Sequence, residues 1–465
     1  MNKKIALSLL FIVLLAFLLR VNPLLTNSFP DPDNFFHARQ SETIVNSQSV
    51  PIYDKLSMQG RYYSYAPLFH VIFAFLNLFS GLPIILLVQL FPAFYGAITA
   101  LAIFIIARKF FGDKIALFSA FFIATMSFAV LRTAGNARPD GLALLVLPVV
   151  IYLLYTEKLF PALLLAMAQA VLHVPSSFYL FSFIIAWFLF FKIRRLNVKE
   201  KNFVALAAVI AIIVGLWLLS QHYPLTDYLS TTSFQSSEMS AFSLLGILYF
   251  FTIAWPFIII ALFKLKENLF LKTWLVFSLA FGLVGTRLAL FFALPAAIFA
   301  GFGLDFVAEK VKGREKFLVA LLLLLSVAAL FPAIYSPGNF VSTAQKSSLL
   351  WLNENTPADA SIALVWDQGH PLTYFAQRKV VVDGYFEFAP GLEERNKSVF
   401  TMMQSSDCNT IIGEAQKWGA SFFYAPEKFM QSDSLKYGIL EAKNCTQIGA
   451  VYEGYGAKIF ALEIR

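Results

Sequence analysis

Long apolar runs recur along most of the chain, and they constrain its fold more than any other feature. Of the 465 residues, 58% are hydrophobic and only 14% are charged, whereas soluble domains carry about 25% charged residues. A membrane-spanning helix needs about 20 mainly apolar residues. Eleven runs approach that length, so the sequence predicts a polytopic α-helical membrane protein with about 11 transmembrane helices. The runs are 5–20, 84–107, 115–131, 142–155, 159–172, 177–192, 203–220, 243–263, 273–286, 288–306 and 317–334.

Two segments need separate interpretation. The first run follows "MNKK" and has no small-residue cleavage site after it. It is therefore interpreted as a retained transmembrane helix rather than a signal peptide. The segment 67–83 has an apolar core too short to span a bilayer, and we expect it to form a re-entrant or interfacial helix.

The distribution of positive charge predicts the orientation in the membrane. Lys and Arg concentrate in cytoplasmic loops. If 67–83 does not cross, all the basic clusters fall on one face, which predicts a cytoplasmic amino terminus and an extracytoplasmic carboxyl terminus. This bias accounts for most of the net charge of +8, so no nucleic acid partner is implied. The clusters are 3–4, 108–114, 158, 192–201, 264–272 and 310–316.

The composition changes near residue 336, where polar residues become frequent. We predict a transmembrane domain over 1–335, with a long first external loop at 21–83, and a soluble extracytoplasmic α/β domain over 336–465. Alternating runs predict strands at 361–366, 379–384, 421–426 and 457–464, and a helix is expected at 409–420. The only cysteines, Cys408 and Cys445, lie in this part. A disulfide can persist outside the cell, but the spacing alone does not show that they pair and leaves two free thiols open.

Ionisable residues near helix ends are candidates for function, because charge is costly close to a bilayer. Asp33, Asp140, Glu238 and Arg287 come from four separate segments, and the expected topology puts all four on the external face. Three carboxylates suit a hard divalent cation such as Mn²⁺ or Mg²⁺. A permanently charged, fork-shaped guanidinium suits a diphosphate. The pattern therefore predicts a metal site for a lipid-linked phosphate donor that arrives from the bilayer.

The same residues also have plainer explanations. Asp140 and Glu238 each precede or open a helix and suit N-terminal caps. Arg132, Arg138 and Asp140 suit a structural salt-bridge cluster with no chemistry. Beside Asp33, Asp31 is expected to be a solvated neighbour, and Phe35 and Phe36 are expected to seat the loop in the membrane interface. His37 and His370 have no partner at metal-ligand spacing, so neither is predicted to bind a metal.

The order of these motifs resembles the catalytic subunit of oligosaccharyltransferase in its single-subunit archaeal or bacterial form, a GT-C glycosyltransferase. "DNFFHAR" (33–39) is similar to the first external loop of that family, "RTAGNARPD" (132–140) to its second acidic motif and "SSEM" (236–239) to its acidic external-loop motif. "TRLALFFALPAAIFAG" (286–301) resembles the helix that carries its phosphate-binding arginine. The most specific stretch is 349–384, which resembles the segment around the WWDYG signature of the family.

The resemblance implies transfer of an oligosaccharide from a polyprenyl or dolichyl (di)phosphate carrier to Asn of an Asn-X-Ser/Thr sequon in an acceptor protein or peptide. Asp33, Asp140 and Glu238 would hold the metal, and Asp33 and Glu238 would also bind the acceptor amide as catalytic residues. Arg287 and Arg138 would contact the donor phosphates. Trp366 and Asp367 would recognise the Ser/Thr hydroxyl.

Departures from the family pattern keep other functions open. The signature reads "VWDQG" (365–369), with Val365 and Gln368 in place of a tryptophan and a tyrosine, and Arg138 stands where an acidic residue is usual. These changes favour, as alternatives, a GT-C sugar transferase with a different acceptor or a catalytically inactive paralogue. A transporter is disfavoured because its polar residues belong at the membrane midplane. The chain itself carries two external sequons, at 396–398 and 444–446.

Overall fold

We describe the protein from a computed structural model. The structure describes residues 2–26, 29–63, 65–187, 251–265, 268–284, 286–311, 339–386, 389–427, 438–442 and 445–464, together with a few single positions between 313 and 324. Both predicted spans at 203–220 and 317–334 fall wholly or mostly outside these residues, so the predicted number of spans stays a prediction.

Apolar helices dominate the first two thirds of the described chain. Three segments within it are long and apolar enough to cross a membrane, namely Lys3–Leu25, Ile84–Phe111 and Leu290–Lys310. In chain order the helices are α1 (Lys3–Leu25), α2 (Asp33–Ser47), α3 (Leu68–Ser80), α4 (Ile84–Phe111), α5 (Asp113–Thr125), α6 (Ser127–Leu131), α7 (Pro139–Tyr155), α8 (Leu159–Leu172), α9 (Val174–Trp187), α10 (Trp255–Lys264), α11 (Leu269–Val284), α12 (Thr286–Ala289) and α13 (Ala293–Lys310).

Most predicted spans coincide with these helices, and the run 159–172 matches α8 at both ends. The run 115–131 is different, because it forms two helices rather than one. Met126 between α5 and α6 has extended backbone angles, with φ −67° and ψ 119°. The chain therefore turns within the apolar run and directs residues 132–138 towards Asn34 in the segment 21–83, which is predicted to be the first external loop.

Helix α3 has two contrasting faces. Phe69 and Phe73 are fully buried, whereas Leu78 and Phe79 are 71% and 82% exposed. At 13 residues and about 1.5 Å per residue, it is shorter than the roughly 30 Å of a bilayer core. Its length and exposed apolar face agree with the interfacial helix expected for 67–83.

Close contacts between helices hold the transmembrane part together. A Cβ on Gly301 of α13 would lie 2.7 Å from the backbone nitrogen of Ser119 on α5, so only glycine permits this approach. On α1, the buried Arg20 donates to the carbonyl of Ala124 at 2.8 Å and to the hydroxyl of Thr133 at 2.7 Å. These bonds fix the connection after α5 against the first helix.

The last third of the chain forms an α/β structure around a five-stranded mixed sheet. The strands are β3 (Ser361–Ala363), β4 (Lys379–Val380), β5 (Phe422–Pro426), β6 (Ile448–Gly454) and β7 (Ala457–Leu462). The sheet order is β4-β3-β5-β7-β6, with β3 parallel to both β4 and β5, and β7 antiparallel to β5 and β6. The helices are α14 (Thr343–Asn355), α15 (Gly369–Phe375), α16 (Leu392–Gln404) and α17 (Cys408–Lys417).

Cys408 and Cys445 form a disulfide, with their Cα atoms 5.4 Å apart. The question that their spacing left open is therefore answered in favour of pairing. The bond joins the start of α17 to the segment that leads into β6. The predicted domain division near residue 336 and the extracytoplasmic location of this part stay predictions.

The first external loop packs into this α/β structure. Its two short strands, β1 (Tyr53–Asp54) and β2 (Arg61–Tyr62), form an antiparallel hairpin. Between them, Met58 is fully buried in the same hydrophobic cluster as Val381, which follows β4, and Phe423 of β5. The carbonyl of Leu56 accepts a hydrogen bond from the backbone of Val380 at 3.0 Å. The hairpin tip is therefore part of the core of the α/β structure.

Candidate functional site

The first and second acidic motifs meet at the start of α2. Asp31 accepts the backbone N–H of Asp33 at 2.9 Å, which orders the turn before the helix. The guanidinium of Arg138 forms an ion pair with Asp31 and lies 3.6 Å from the carboxylate of Asp33. Asp31 is buried, so its predicted role as a solvated neighbour is wrong. Asp31 is buried because Arg138 binds its carboxylate and shields it from water.

Asn34 clamps the two motifs together. This buried side chain donates to the carbonyl of Gly135 at 2.8 Å and accepts the backbone N–H of Ala137 at 2.7 Å. Gly135 has a left-handed φ of +64°, and a Cβ there would lie 2.5 Å from Pro23 of α1. Only glycine therefore allows this loop to lie so close to α1, in the position where Asn34 binds it.

Asp140 lies in the first turn of α7, two residues after Arg138. Its carboxylate is buried and pairs with Arg132 at 3.6 Å. The predicted salt-bridge cluster of Arg132, Arg138 and Asp140 is thus divided. Arg132 binds Asp140, while Arg138 binds the aspartates of the first motif instead.

The predicted metal ligands can be compared with this geometry in part. Among the described residues, no three His, Cys, Asp or Glu side chains are spaced to hold a metal ion. Glu238 and the side chain of Arg287 lie outside the described residues. The carboxylate oxygens of Asp33 and Asp140 fit a hard divalent cation by donor chemistry, although each faces an arginine. The carboxylate of Asp33 is the more accessible, at 29% exposed compared with 4% for Asp140.

The signature segment reaches the same carboxylate. His370 is the second residue of α15, and its Nε2 lies 3.9 Å from Oδ1 of Asp33. Burial lowers the pKa of His370, and the nearby buried carboxylate of Asp383 partly opposes that shift. No role was predicted for His370 from the sequence, because its contact partner Asp33 lies more than three hundred residues away.

Phe35 and Phe36 do not face the membrane, so their predicted interfacial role is wrong. Phe35 packs against Phe29 and Phe375, with ring centroids 4.9 and 5.2 Å away. Phe36 packs against His370 at 5.1 Å and Tyr385 at 5.4 Å. Both rings therefore bind the first external loop to the α/β structure. The sequence of a polar loop does not show whether its aromatic residues lie in the membrane interface or pack against another part of the protein.

A buried histidine pair supports the loop behind Phe36. Nδ1 of His37 lies 2.8 Å from Nε2 of His70 on α3, and the hydroxyl of Tyr63 hydrogen bonds to the same imidazole of His70. Burial, followed by the positive charge that His70 and His370 can carry, holds the pKa of His37 well below its usual value. Burial also lowers the pKa of His70, to about 3. Both histidines are therefore hydrogen-bonded as neutral rings at neutral pH.

Trp366 and Asp367 lie on a single 3-10 turn, Trp366–Gln368, between β3 and α15. The indole of Trp366 packs against Phe386, with ring centroids 5.0 Å apart. The side chain of Gln368 donates a hydrogen bond to Oδ1 of Asp367 at 3.1 Å. Trp366 and Asp367 are both partly exposed, so they are accessible to a bound chain.

One of the two sequons is closed to modification in this fold. Asn396 is buried and bonds to the carbonyl of Leu392, and Ser398 is buried and donates to Glu414. In the other sequon, Asn444 lies outside the described residues.

The sequence comparisons reach only part of the chain. No protein-family model matches it. Dolichyl-phosphooligosaccharide-protein glycotransferase 2 of Pyrococcus furiosus is 31% identical over 98 residues, which is 20% of this chain and 13% of that protein.

The structural comparisons cover nearly the whole chain. The apo oligosaccharyltransferase of Archaeoglobus fulgidus has a TM-score of 0.70 and 15% identity, over 96% of this chain and 72% of that chain. The same protein tethered to an acceptor peptide with an NVT sequon gives 0.62 and 15%, over 98% and 74%. ArnT of Cupriavidus metallidurans bound to undecaprenyl phosphate gives 0.57 and 12%, over 98% of both chains.

These likenesses confirm, at the level of the fold, the resemblance found in the sequence. The chain has the fold of membrane glycosyltransferases of the GT-C type, and the archaeal oligosaccharyltransferase is among its structural neighbours. Together with the apolar helices, this fold is that of a multi-pass membrane protein.

Proposed function

We propose that this protein is a glycosyltransferase that moves an oligosaccharide from a polyprenyl or dolichyl (di)phosphate to the side-chain amide of Asn in an Asn-X-Ser/Thr sequon. One observation carries the proposal. Asp33 of the first external loop lies within 4 Å of Arg138 in the second motif and of His370 in the signature segment. Three motifs that are far apart in the sequence thus meet at one accessible carboxylate.

The chemistry of the acceptor explains why such a carboxylate is useful. An amide nitrogen is a poor nucleophile, because its lone pair is delocalised into the carbonyl group. A carboxylate that accepts the amide N–H groups favours the conformer in which that lone pair is available. Asp33 is assigned this role, with Glu238 as the second carboxylate. Trp366 and Asp367 bind the hydroxyl two residues further along the acceptor.

Arginines are assigned to the donor. Arg138 lies beside Asp33, and its guanidinium can contact phosphate oxygens in a bidentate manner. Arg287 is the second arginine proposed for this role. Asp33, Asp140 and Glu238 are the residues proposed to hold Mn²⁺ or Mg²⁺, and a bound divalent ion would neutralise charge on the departing phosphate.

Reconstitution tests the proposal directly. Purified protein in lipid would be mixed with a dolichyl- or undecaprenyl-linked oligosaccharide, Mn²⁺ or Mg²⁺ and a peptide that contains one sequon. We expect a glycopeptide to form, and Asp33→Asn to reduce its rate at least about a hundredfold, as for loss of a transition-state contact.

Asp305→Asn is the matched control for that experiment. Asp305 pairs with Lys114 at 2.7 Å, at the opposite end of α5 from the loop that carries the second motif. This variant is expected to keep the rate. Absence of glycopeptide from the wild type, or equal rates for wild type and Asp33→Asn, would contradict the proposed function.

A second function is favoured by Arg138. Its guanidinium pairs with both aspartates of the first motif. The structural alignment with ArnT also covers 98% of this chain and 98% of ArnT. A GT-C transferase that moves one sugar from a polyprenyl phosphate to a different acceptor suits these observations. Such an enzyme would accept a monosaccharide-phosphate donor and would be indifferent to the hydroxyl of the sequon.

A further inference from the structure

Two lysines from different helices converge on one aromatic ring. Nζ of Lys264 lies 5.3 Å from the ring centroid of Phe306, and Nζ of Lys310 lies 5.7 Å from the same centroid. Lys264 is the last residue of α10, and Lys310 is the last residue of α13, one turn after Phe306. Because the face of an aromatic ring attracts cations, Phe306 holds both ammonium groups near one another.

The packing of α10 against α13 fixes this arrangement. A Cβ on Gly303 of α13 would overlap the carbonyl oxygen of Phe257 on α10, so only glycine permits the contact. From this contact each helix continues for about two turns and ends at its lysine. The two lysines are therefore carried by closely packed helices and not by loops.

The surroundings leave positive charge at this ring. Asp305 of α13 pairs with Lys114 at 2.7 Å, and Glu309 is exposed to water, which screens its charge. Within the described part of the chain, neither Lys264 nor Lys310 forms an ion pair. Two ammonium groups held together without a carboxylate favour an anionic ligand.

The ring lies at the end of the helices that is remote from the candidate site. Lys114, which pairs with Asp305 of α13, lies in the first turn of α5. The other end of α5 leads to the loop that carries Arg138, beside Asp33. The last turn of α13 is thus at the end predicted to face the cytoplasm.

Apolar side chains continue from the lysines along the surface of α10. Phe263 is 79% exposed, and Ile259, one turn earlier, is 48% exposed. Both α10 and α13 belong to the apolar helices of a multi-pass membrane protein. A charged end next to an exposed apolar face has the same order of polarity as a lipid, with its headgroup above its acyl chains.

We propose that Lys264 and Lys310 form a binding site for the headgroup of an anionic phospholipid, whose acyl chains lie along the exposed face of α10. A lysine ammonium binds a phosphate as a point charge, and the contact with Phe306 sets the position of both ammonium groups. This inference is independent of the proposed function, because the lipid binds at the opposite end of the helices from Asp33.

The plain alternative is that basic residues collect at this face through the positive-inside rule and the partial negative charge of helix carboxyl ends. Any lysine at the face would then attract anionic lipid to the same extent, and Phe306 would have no part in binding. The experiment must therefore change the ring without changing the charge.

Short-chain phosphatidylglycerol is titrated into the detergent-solubilised full chain, and the rise in melting temperature gives an apparent Kd. Phosphatidylcholine, which has a phosphate but no net charge, is the control lipid. We expect Lys264→Gln and Lys310→Gln each to raise the Kd for phosphatidylglycerol about fivefold, as for loss of one lysine near an anionic headgroup. Phe306→Leu keeps every charge and should raise the Kd about two- to fivefold.

Lys158→Gln is the matched control. Lys158 is exposed and follows α7, whose last residue Tyr155 packs against Phe110 near the end of α4, with ring centroids 4.3 Å apart. It therefore lies at the same end of the helices but outside the pair, and its loss should leave the Kd unchanged. Phe306→Tyr keeps an aromatic ring and should bind as the wild type does.

Each outcome decides for or against the site. A raised Kd in both lysine variants and in Phe306→Leu, with Lys158→Gln unchanged, supports it. Equal stabilisation by the two lipids overturns it, and so does a Kd that Lys158→Gln raises as much as Lys264→Gln. If inorganic phosphate alone stabilises the wild type as much as phosphatidylglycerol, the site takes free phosphate and the lipid assignment is overturned.

Discussion

The guanidinium of Arg138 lies 3.6 Å from the carboxylate of Asp33, and the same group forms an ion pair with Asp31. A positive charge is therefore held beside the most accessible of the described carboxylates proposed as metal ligands. Like charges at about 4 Å repel by roughly 4 kcal/mol at the effective dielectric constant of a protein surface. Arg138 thus opposes a divalent cation at Asp33 while it remains suited to phosphate oxygens.

Replacing this arginine should strengthen metal binding. We expect Arg138→Gln to lower the Kd for Mn²⁺ by about tenfold or more, since repulsion of that size is partly screened by solvent. Calorimetry on the detergent-solubilised protein measures the effect. Arg108→Gln, at the half-exposed pair with Asp113, is the control and should leave the Kd unchanged.

The double variant Arg138→Gln with Asp33→Asn isolates the site. The gain in affinity should disappear if Asp33 is a ligand. An unaltered Kd in Arg138→Gln would show that the arginine does not compete with the cation, and the proposed arrangement would then need a different ligand set.

Gly135 should be intolerant of any side chain. At φ +64°, with Pro23 2.5 Å from an added Cβ, Gly135→Ala forces the loop away from α1 and weakens the bonds made by Asn34. Left-handed backbone costs a non-glycine residue roughly 1–2 kcal/mol before the clash is counted. We expect a lower melting temperature and reduced glycosyl transfer. Gly413→Ala is the control, because nothing lies within 4 Å of its Cβ position, and its activity should match that of the wild type.

The neutral His37 predicts a pH dependence of stability. Burial holds its pKa in the folded protein well below the ordinary value of 6.5, so below that pH the unfolded chain binds more protons than the folded one. The free energy of unfolding is therefore highest above about pH 6.5 and falls as the pH decreases, by up to about 1.4 kcal/mol per pH unit.

His37→Asn tests the assignment, because asparagine places a polar atom near the position of Nδ1 and does not titrate. Melting temperatures measured from pH 8 to pH 5 should decline less steeply in this variant than in the wild type below about pH 6.5. Parallel curves across the whole range would exclude His37 as the group responsible.

The sequence predicts the position of most apolar helices in the described residues but not the polar helix α2, and it predicts the site only in part, for a physical reason. Apolar runs and alternating runs are local signals, so α8 and the strand β5 were predicted within one or two residues. The burial of Asp31 and Phe36 depends on partners far along the chain, and no local pattern records such contacts. The strand β6 was missed because most of its residues are exposed, which removes the alternation of polar and apolar residues.

Docking of the first external loop on the α/β structure should depend on Met58. This side chain is fully buried among sheet residues, at the tip of the β1–β2 hairpin. Met58→Ala removes that contact and is expected to cost about 2–5 kcal/mol, as for other large-to-small substitutions in cores. Because the same loop carries Asp33 to His370, glycosyl transfer should decline with the melting temperature, and limited proteolysis should cleave near residues 48–62.

Met167→Ala is the matched control, since Met167 on α8 is 41% exposed and should change none of these measurements. A Met58→Ala protein that resists protease like the wild type would show that the ion pairs and aromatic contacts around α2 hold the loop without the methionine.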